Sequence, residues 1–143
     1  MTLSRGTSPR SATPQSDPAP IVFVVDGDAG ARESLDSLIR GAGWRPETFS
    51  CARAFLSRPR ACAPSCLVME VDLQDINGLE LQGLVADRVD LPVIFITSCS
   101  DVQTTVRAMK AGAFEFLTKP FDDDVVLRAI DEAIDRSRRA FAP

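Results

Sequence analysis

Four short, mostly apolar runs along the chain each stop at a polar residue. They are Ile21 to Val25 ending at Asp26, Leu67 to Met69 ending at Glu70, Val93 to Ile96 ending at Thr97, and Phe114 to Leu117 ending at Thr118 and Lys119. Runs of this length, separated by segments of helical period, predict buried strands of a parallel sheet. A further strand, the second in chain order and with a weaker pattern, is expected over Trp44 to Phe49. The third strand is expected to span Cys66 to Val71.

The intervening segments carry helical stripes. Ala31, Leu35, Leu38, Ile39 and Ala42 form the first, stopped by Gly41 and Gly43. A short helix begins near Cys51 and ends by Pro59, with a loop from Pro59 to Pro64. After a turn at Asp75 to Gly78, Leu81, Leu84 and Val85 are expected to point inward, and Pro92 punctuates. Asp101 is placed to N-cap a helix with Val102, Val106 and Met109 on one face, closed by Gly112. Val126, Ile130, Ala133 and Ile134 mark the buried stripe of the last helix. That helix opens on Asp122, Asp123 and Asp124 and ends near Arg136, Arg138 and Arg139, as the helix dipole favours.

Five strands alternating with five helices predict an α/β, flavodoxin-like (βα)5 three-layer sandwich with a parallel sheet in the order 2-1-3-4-5 and right-handed crossovers. In that order strands one and three are neighbours, so Asp26 stands beside Glu70. Function in such sheets gathers at the carboxyl ends of the strands, where two acids, a hydroxyl and a lysine converge. Residues 1–19, with Pro9, Pro14 and Pro18 among Ser, Thr and Ala, read as a disordered tail. Residues 20–138 read as the folded domain, and 139–143 as a C-terminal tail or the start of a linker.

Composition narrows the chemistry. The 143 residues are 45% hydrophobic, enough for one domain with its own core. A net charge of −4 argues against this chain gripping nucleic acid by itself. There is no histidine, and Cys51, Cys62, Cys66 and Cys99 form no CxxC pair, which closes the common zinc sites and histidine-centred mechanisms. The cysteines read as free thiols. No apolar run approaches the ~20 residues that span a membrane, and the N-terminus lacks a signal-peptide core. The expectation is a soluble, cytoplasmic protein with no membrane contact.

The segments VFVVDGD at 22 to 28, LVMEVDLQDINGLEL at 67 to 81, PVIFITS at 92 to 98 and VRAMKAGAFEFLTKPF at 106 to 121 resemble the receiver domain of bacterial two-component response regulators. The resemblance spans roughly residues 21 to 138. FITS and FLTKPF are similar to receivers of regulators with a LuxR-type helix-turn-helix output. The resemblance implies an aspartate at the end of strand three that takes a phosphoryl group from a histidine kinase, with magnesium held by two acids after strand one. A cation and a lysine would offset the charge on the transferring group. By position, Asp26 becomes the first acid of the pocket, Glu70 the phosphoacceptor place, Thr97 the switch hydroxyl, Phe116 the rotating aromatic and Lys119 the pocket lysine. A cis Lys119-Pro120 bond is also implied, against a trans proline that merely ends strand five.

Two positions depart from the family pattern. Gly27 stands where the second acid belongs, and Glu70 replaces aspartate, advancing the carboxylate by about 1.5 Å. Such a shift is large where geometry is set to a fraction of that distance. Asp28 also lies by the acidic pocket but one residue late, and is expected to cap the first helix instead. The family uses the backbone carbonyl at Asp72 on the metal. Magnesium binding through Asp26, Glu70 and that carbonyl is therefore expected to be weakened.

These departures point to an atypical receiver that regulates an output or partner without ordinary aspartyl phosphorylation and is not an enzyme. The rival is a receiver phosphorylated by a histidine kinase at a replacement acid, Glu70, Asp72 or Asp28. The advanced carboxylate is expected to pair with Lys119 or Thr97. Either it partly imitates the phosphorylated state, without a phosphate's full charge, or it leaves the pocket inactive. Expected partners are a histidine kinase and an output protein or domain, including a helix-turn-helix DNA-binding one. A homodimer through helix four, strand five and helix five would use Lys110, Glu115 and Phe116. A nucleotide site is suggested only by Gly27 and Gly30, with no Walker lysine and with Asp26 and Asp28 repelling phosphate.

Overall fold

The three central strands divide their side chains between two covered faces, so their runs are buried throughout rather than alternating. The computed structural model describes residues 19–98 and 101–141. Its elements in chain order are β1 (Ile21–Val25), α1 (Ala29–Gly41), β2 (Arg45–Phe49), α2 (Ala52–Leu56) and β3 (Ser65–Met69), followed by α3 (Gly78–Leu84), β4 (Val93–Thr97), α4 (Val102–Lys110), β5 (Glu115–Thr118) and α5 (Asp123–Phe141). The sheet is parallel in the order β2-β1-β3-β4-β5, as the alternation predicts. The disordered tail expected over 1–19 lies outside the described residues except for Ala19, as does Cys99.

One face of the sheet carries Phe23, Val25, Leu67, Met69 and Phe95, and buries them against Phe55 of α2, Leu81 of α3 and Ala108 of α4. The other carries Val22, Val24, Val68, Ile94 and Ile96 under Leu35 and Ile39 of α1 and the Val126, Ile130, Ala133 and Ile134 stripe of α5. The result is three layers with the sheet in the middle. At the amino-terminal edge, the buried Ser137 hydroxyl donates to Asp90 O at 2.6 Å and accepts from Ser65 N at 2.9 Å, tying α5 to the entries of β3 and β4. Edge strand β2 is held by a bidentate Glu47 to Arg58 pair at 2.6 and 2.8 Å. The hydrogen bonds from Arg58 keep the Glu47 carboxyl below its ordinary range.

Several boundaries and facings differ from the sequence pattern. The ladder of β3 stops at Met69, because the Val71 and Asp72 amides turn onto the Glu70 side chain instead of a neighbouring strand. Leu84 is 58% exposed, since Gln82 rather than Leu84 completes the inward line of α3 with Leu81 and Val85. Ala42 is an exposed C-cap residue outside the buried stripe of α1. Val102, Val106 and Met109 do share one face of α4, but it faces solvent, and Ala108 is the residue α4 buries. Helix α5 continues through residues 139–141, where the pattern suggested a tail.

Helix α3 begins against the turn that follows β3, and this contact has no room for a side chain. A Cβ on Gly78 would meet Glu70 O at 2.7 Å and Val71 Cα at 2.9 Å, both backbone atoms unable to give way. The variant Gly78→Ala should therefore lose ~1–3 kcal/mol by urea unfolding, through overpacking. Gly27→Ala, whose Cβ would meet only Ser50 O at 3.9 Å, should unfold close to the parent midpoint.

Candidate functional site

The carboxyl ends of β1, β3, β4 and β5 converge as the strand order requires. Val25 pairs with Met69, and Glu70 N donates to Val25 O at 3.0 Å, which fixes Asp26 and Glu70 side by side. Both are buried, as is Thr97 at the end of β4. Just beyond β5, Lys119 N donates to Thr97 O at 2.8 Å, and the Lys119-Pro120 bond is cis, as the resemblance implies. The lysine side chain spans the pocket. Its Nζ lies 3.0 Å from Asp26 Oδ2 and 3.2 Å from Glu70 Oε1.

One ammonium thus serves two buried carboxylates. Burial alone would depress the Lys119 pKa, but the hydrogen bonds and charges of Asp26 and Glu70 outweigh it and hold the group above its ordinary value. The remaining carboxylate oxygens are also engaged. Asp26 Oδ1 accepts from Asp28 N at 2.9 Å. Glu70 Oε2 accepts from Val71 N at 2.8 Å and, more distantly, from Asp72 N at 3.4 Å. The Glu70 carboxylate is therefore folded over its own loop, with one oxygen on the amides and one on Lys119.

The other residues expected at the site occupy varied positions. Asp28 caps α1, its Oδ2 accepting from Ala31 N at 3.0 Å, the capping role expected for it. Asp72 is exposed. Phe116 is half-buried on β5, its ring 5.8 Å from that of Phe95. Two residues at the site were not singled out by the sequence reading. Arg32 Nη1 donates to Asp26 O at 2.6 Å. A cation in the first turns of a helix runs against the dipole, and that was the available signal that Arg32 has a specific partner.

Asp75 is the second. Its carboxylate accepts from Ala52 N at 3.2 Å and Arg53 N at 2.8 Å, capping α2 from the β3–α3 loop because Cys51 provides no side-chain cap. The pairing crosses more than twenty residues of sequence, so no local pattern announces it. The bond from Arg53 N, with further amides of Ile76, Ala52 and Asp75 itself, holds the Asp75 carboxyl down at about 2.

Does this donor set suit a divalent cation? Magnesium requires near-octahedral oxygen coordination, commonly through one or two carboxylates and several waters. Here every carboxylate oxygen of Asp26 and Glu70 already accepts a hydrogen bond, and the Lys119 ammonium lies between them. Gly27 adds no ligand, and no group of three or more acids, cysteines or histidines converges among the described residues. In this arrangement the residues do not fit the ion.

A family model for the response regulator receiver domain matches residues 22–131. Nodulation protein W of Bradyrhizobium diazoefficiens is 42% identical over 120 residues, 83% of this chain and 53% of that protein. The transcriptional regulatory protein FixJ of the same organism is 36% identical, over 83% of this chain and 58% of its own length. The chain thus spans about half the length of these curated relatives. Among solved structures, the response regulator StyR superposes with a TM-score of 0.79 at 42% identity, over 86% of this chain and 63% of that one.

Removing the shared cation should expose its worth. Lys119→Met leaves two adjacent carboxylates uncompensated and should cost roughly 2–3 kcal/mol by urea unfolding, at or below the low end for buried pairs because the lysine is partly solvated. Adding Glu70→Gln should recover a measurable part of that loss, and strictly additive single and double variants would contradict the shared-cation reading. Asp75 makes an acid-range prediction. Its folded pKa of about 2 lies below the ordinary 3.8, so its contribution is complete above about pH 4 and fades as pH falls toward 2. Asp75→Asn should lower the urea midpoint at pH 7 and flatten the loss of stability between pH 4 and pH 2.

Proposed function

This chain belongs to the response regulator receiver domain family, and on that premise we propose that it is an atypical receiver, regulating an output or partner without ordinary aspartyl phosphorylation. The observation that carries the reading is the Glu70 carboxylate itself. It reaches forward to Lys119 while its second oxygen takes the Val71 amide, so the groups that would receive a phosphoryl oxygen already hold a carboxylate. Receiver domains typically bind Mg2+. Here the missing acid at Gly27 and the bridging Lys119 favour weakened magnesium affinity.

On this reading Glu70 would either partly imitate the charge of a phosphorylated aspartate, without a phosphate's full charge or its three acceptor oxygens, or leave the pocket inactive. We infer a pocket biased toward one switch state. Thr97 and Phe116 would transmit that bias to the surface formed by α4, β5 and α5. Val102, Val106 and Met109 expose apolar area on α4 beside the half-buried Glu115 and Phe116, which suits a homodimer or a docked output. The expected partners are a histidine kinase and an output protein or domain, with helix-turn-helix regulators as the leading type. The chain is proposed to work as a cytoplasmic, non-enzymatic signalling module. Among the described residues no helix is long and apolar enough to cross a membrane.

Acetyl phosphate with magnesium, read by intact mass, separates this proposal from its rival. The native chain should remain unmodified. Gain of one phosphoryl group, lost on changing Glu70, Asp72 or Asp28, would instead establish a receiver phosphorylated at a replacement acid. The double variant Gly27→Asp with Glu70→Asp should acquire magnesium-dependent modification, because it restores both acids of the family pattern and a Cβ at position 27 meets only Ser50 O, at 3.9 Å. If the folded double variant stays unmodified, further positions such as Gln74 have drifted from phosphotransfer as well.

A further inference from the structure

The sheet edge opposite the pocket holds a groove of about 560 Å3 between α3, the entries of β4 and β5, and the last turns of α5. Arg88, Arg136 and Arg139 line it, in a chain whose net charge is −4. Val85, Val89 and Leu91 supply apolar wall between them, and Val89 is 77% exposed. Among the described residues neither Arg88 nor Arg136 is in an ion pair. Arg136 lies over the Phe114 ring at 5.7 Å, and Arg139 holds Asp135 at 3.5 Å.

The same wall contains two polar atoms short of partners. Gln82, buried on α3, donates Nε2 to Ala108 O at 2.9 Å and leaves Oε1 without a donor. Arg88 leaves its buried Nε without an acceptor. Both atoms are shut off from solvent, so they lie behind the groove surface and not on it. Burial first, and the like charge of Arg60 second, hold the Arg88 pKa below its ordinary value against the opposing charges of Asp90 and Asp87.

We propose that this groove binds an extended acidic peptide segment of a partner protein. Acidic side chains along the segment meet the Arg88, Arg136 and Arg139 side chains that line the groove, and its apolar side chains cover Val89, the exposed part of the apolar wall. A small inorganic anion would satisfy the arginines and leave the apolar wall bare. The site lies at the amino-terminal ends of the strands, remote from Glu70 and Lys119, and stands independently of the pocket's reading.

The test titrates the whole chain with a short fluorescein-labelled peptide of alternating glutamate and valine, followed by anisotropy and by shifts of the Gln82 side-chain amide and the Arg88 Nε–H in nitrogen-edited spectra. The glutamate peptide should bind, its lysine counterpart should not, and the Gln82 and Arg88 signals should move. Arg136→Gln with Arg139→Gln, both exposed and expected to keep the parent melting temperature, should weaken binding by about tenfold or more. Glu70→Ala should bind as the parent does, which keeps this result separate from the fate of the phosphoryl pocket. No binding, binding indifferent to the double arginine change, or shifts confined to the Asp26 and Lys119 end would overturn the proposal. Equal displacement by inorganic phosphate would also overturn it, as the mark of a simple anion site.

Discussion

A single ammonium group between two buried carboxylates is the constraint on which the working end of this protein depends. Asp26 and Glu70 are brought together by strand pairing, since β1 and β3 are hydrogen-bonded neighbours. Two like charges in a low-dielectric site are tolerable only with an opposite charge in contact. Lys119 provides it at 3.0 and 3.2 Å. Backbone amides of Asp28 and Val71 engage the outer oxygens, so the arrangement is satisfied by the chain's own atoms.

The rest of the molecule holds these groups in register. The two-faced sheet leaves little freedom for strands to slip, because a shift of one residue would exchange the face under α1 and α5 for the face under α2, α3 and α4. Around the pocket the turns are fixed from different directions. Asp28 caps α1, Asp75 caps α2 from another loop, and Gly78 lets α3 start in contact with the backbone of Glu70. The loop after β3 is therefore held at its start by Glu70, in its middle by Asp75 and at its end by Gly78.

Much of this was legible in the sequence, for reasons that can be named. Buried parallel strands are uniformly apolar, so β1, β3 and β4 stood out, and the alternation with helices fixed the sheet order. The neighbouring placement of Asp26 and Glu70 followed from that order, while the longer side chain left Lys119 and Thr97 both open as partners of Glu70, and the structure pairs it with Lys119. What escaped was long-range or local to a single face. Asp75 caps a helix more than twenty residues earlier, and Arg32 bonds a carbonyl, neither of which has a periodic signature. The apolar face of α4 reads like a core stripe, yet the domain leaves it uncovered and buries only Ala108 there.

The spacing of the three charged groups has a consequence for how the chain reaches this state. Lys119 lies 93 residues from Asp26 and 49 from Glu70, so its charge arrives only when the last strand has been added. Until β5 docks, a sheet of β1, β3 and β4 would carry two adjacent acids with no nearby lysine. Contacts of such sequence separation form late and slow assembly. The final strand therefore completes electrostatics as well as hydrogen bonding.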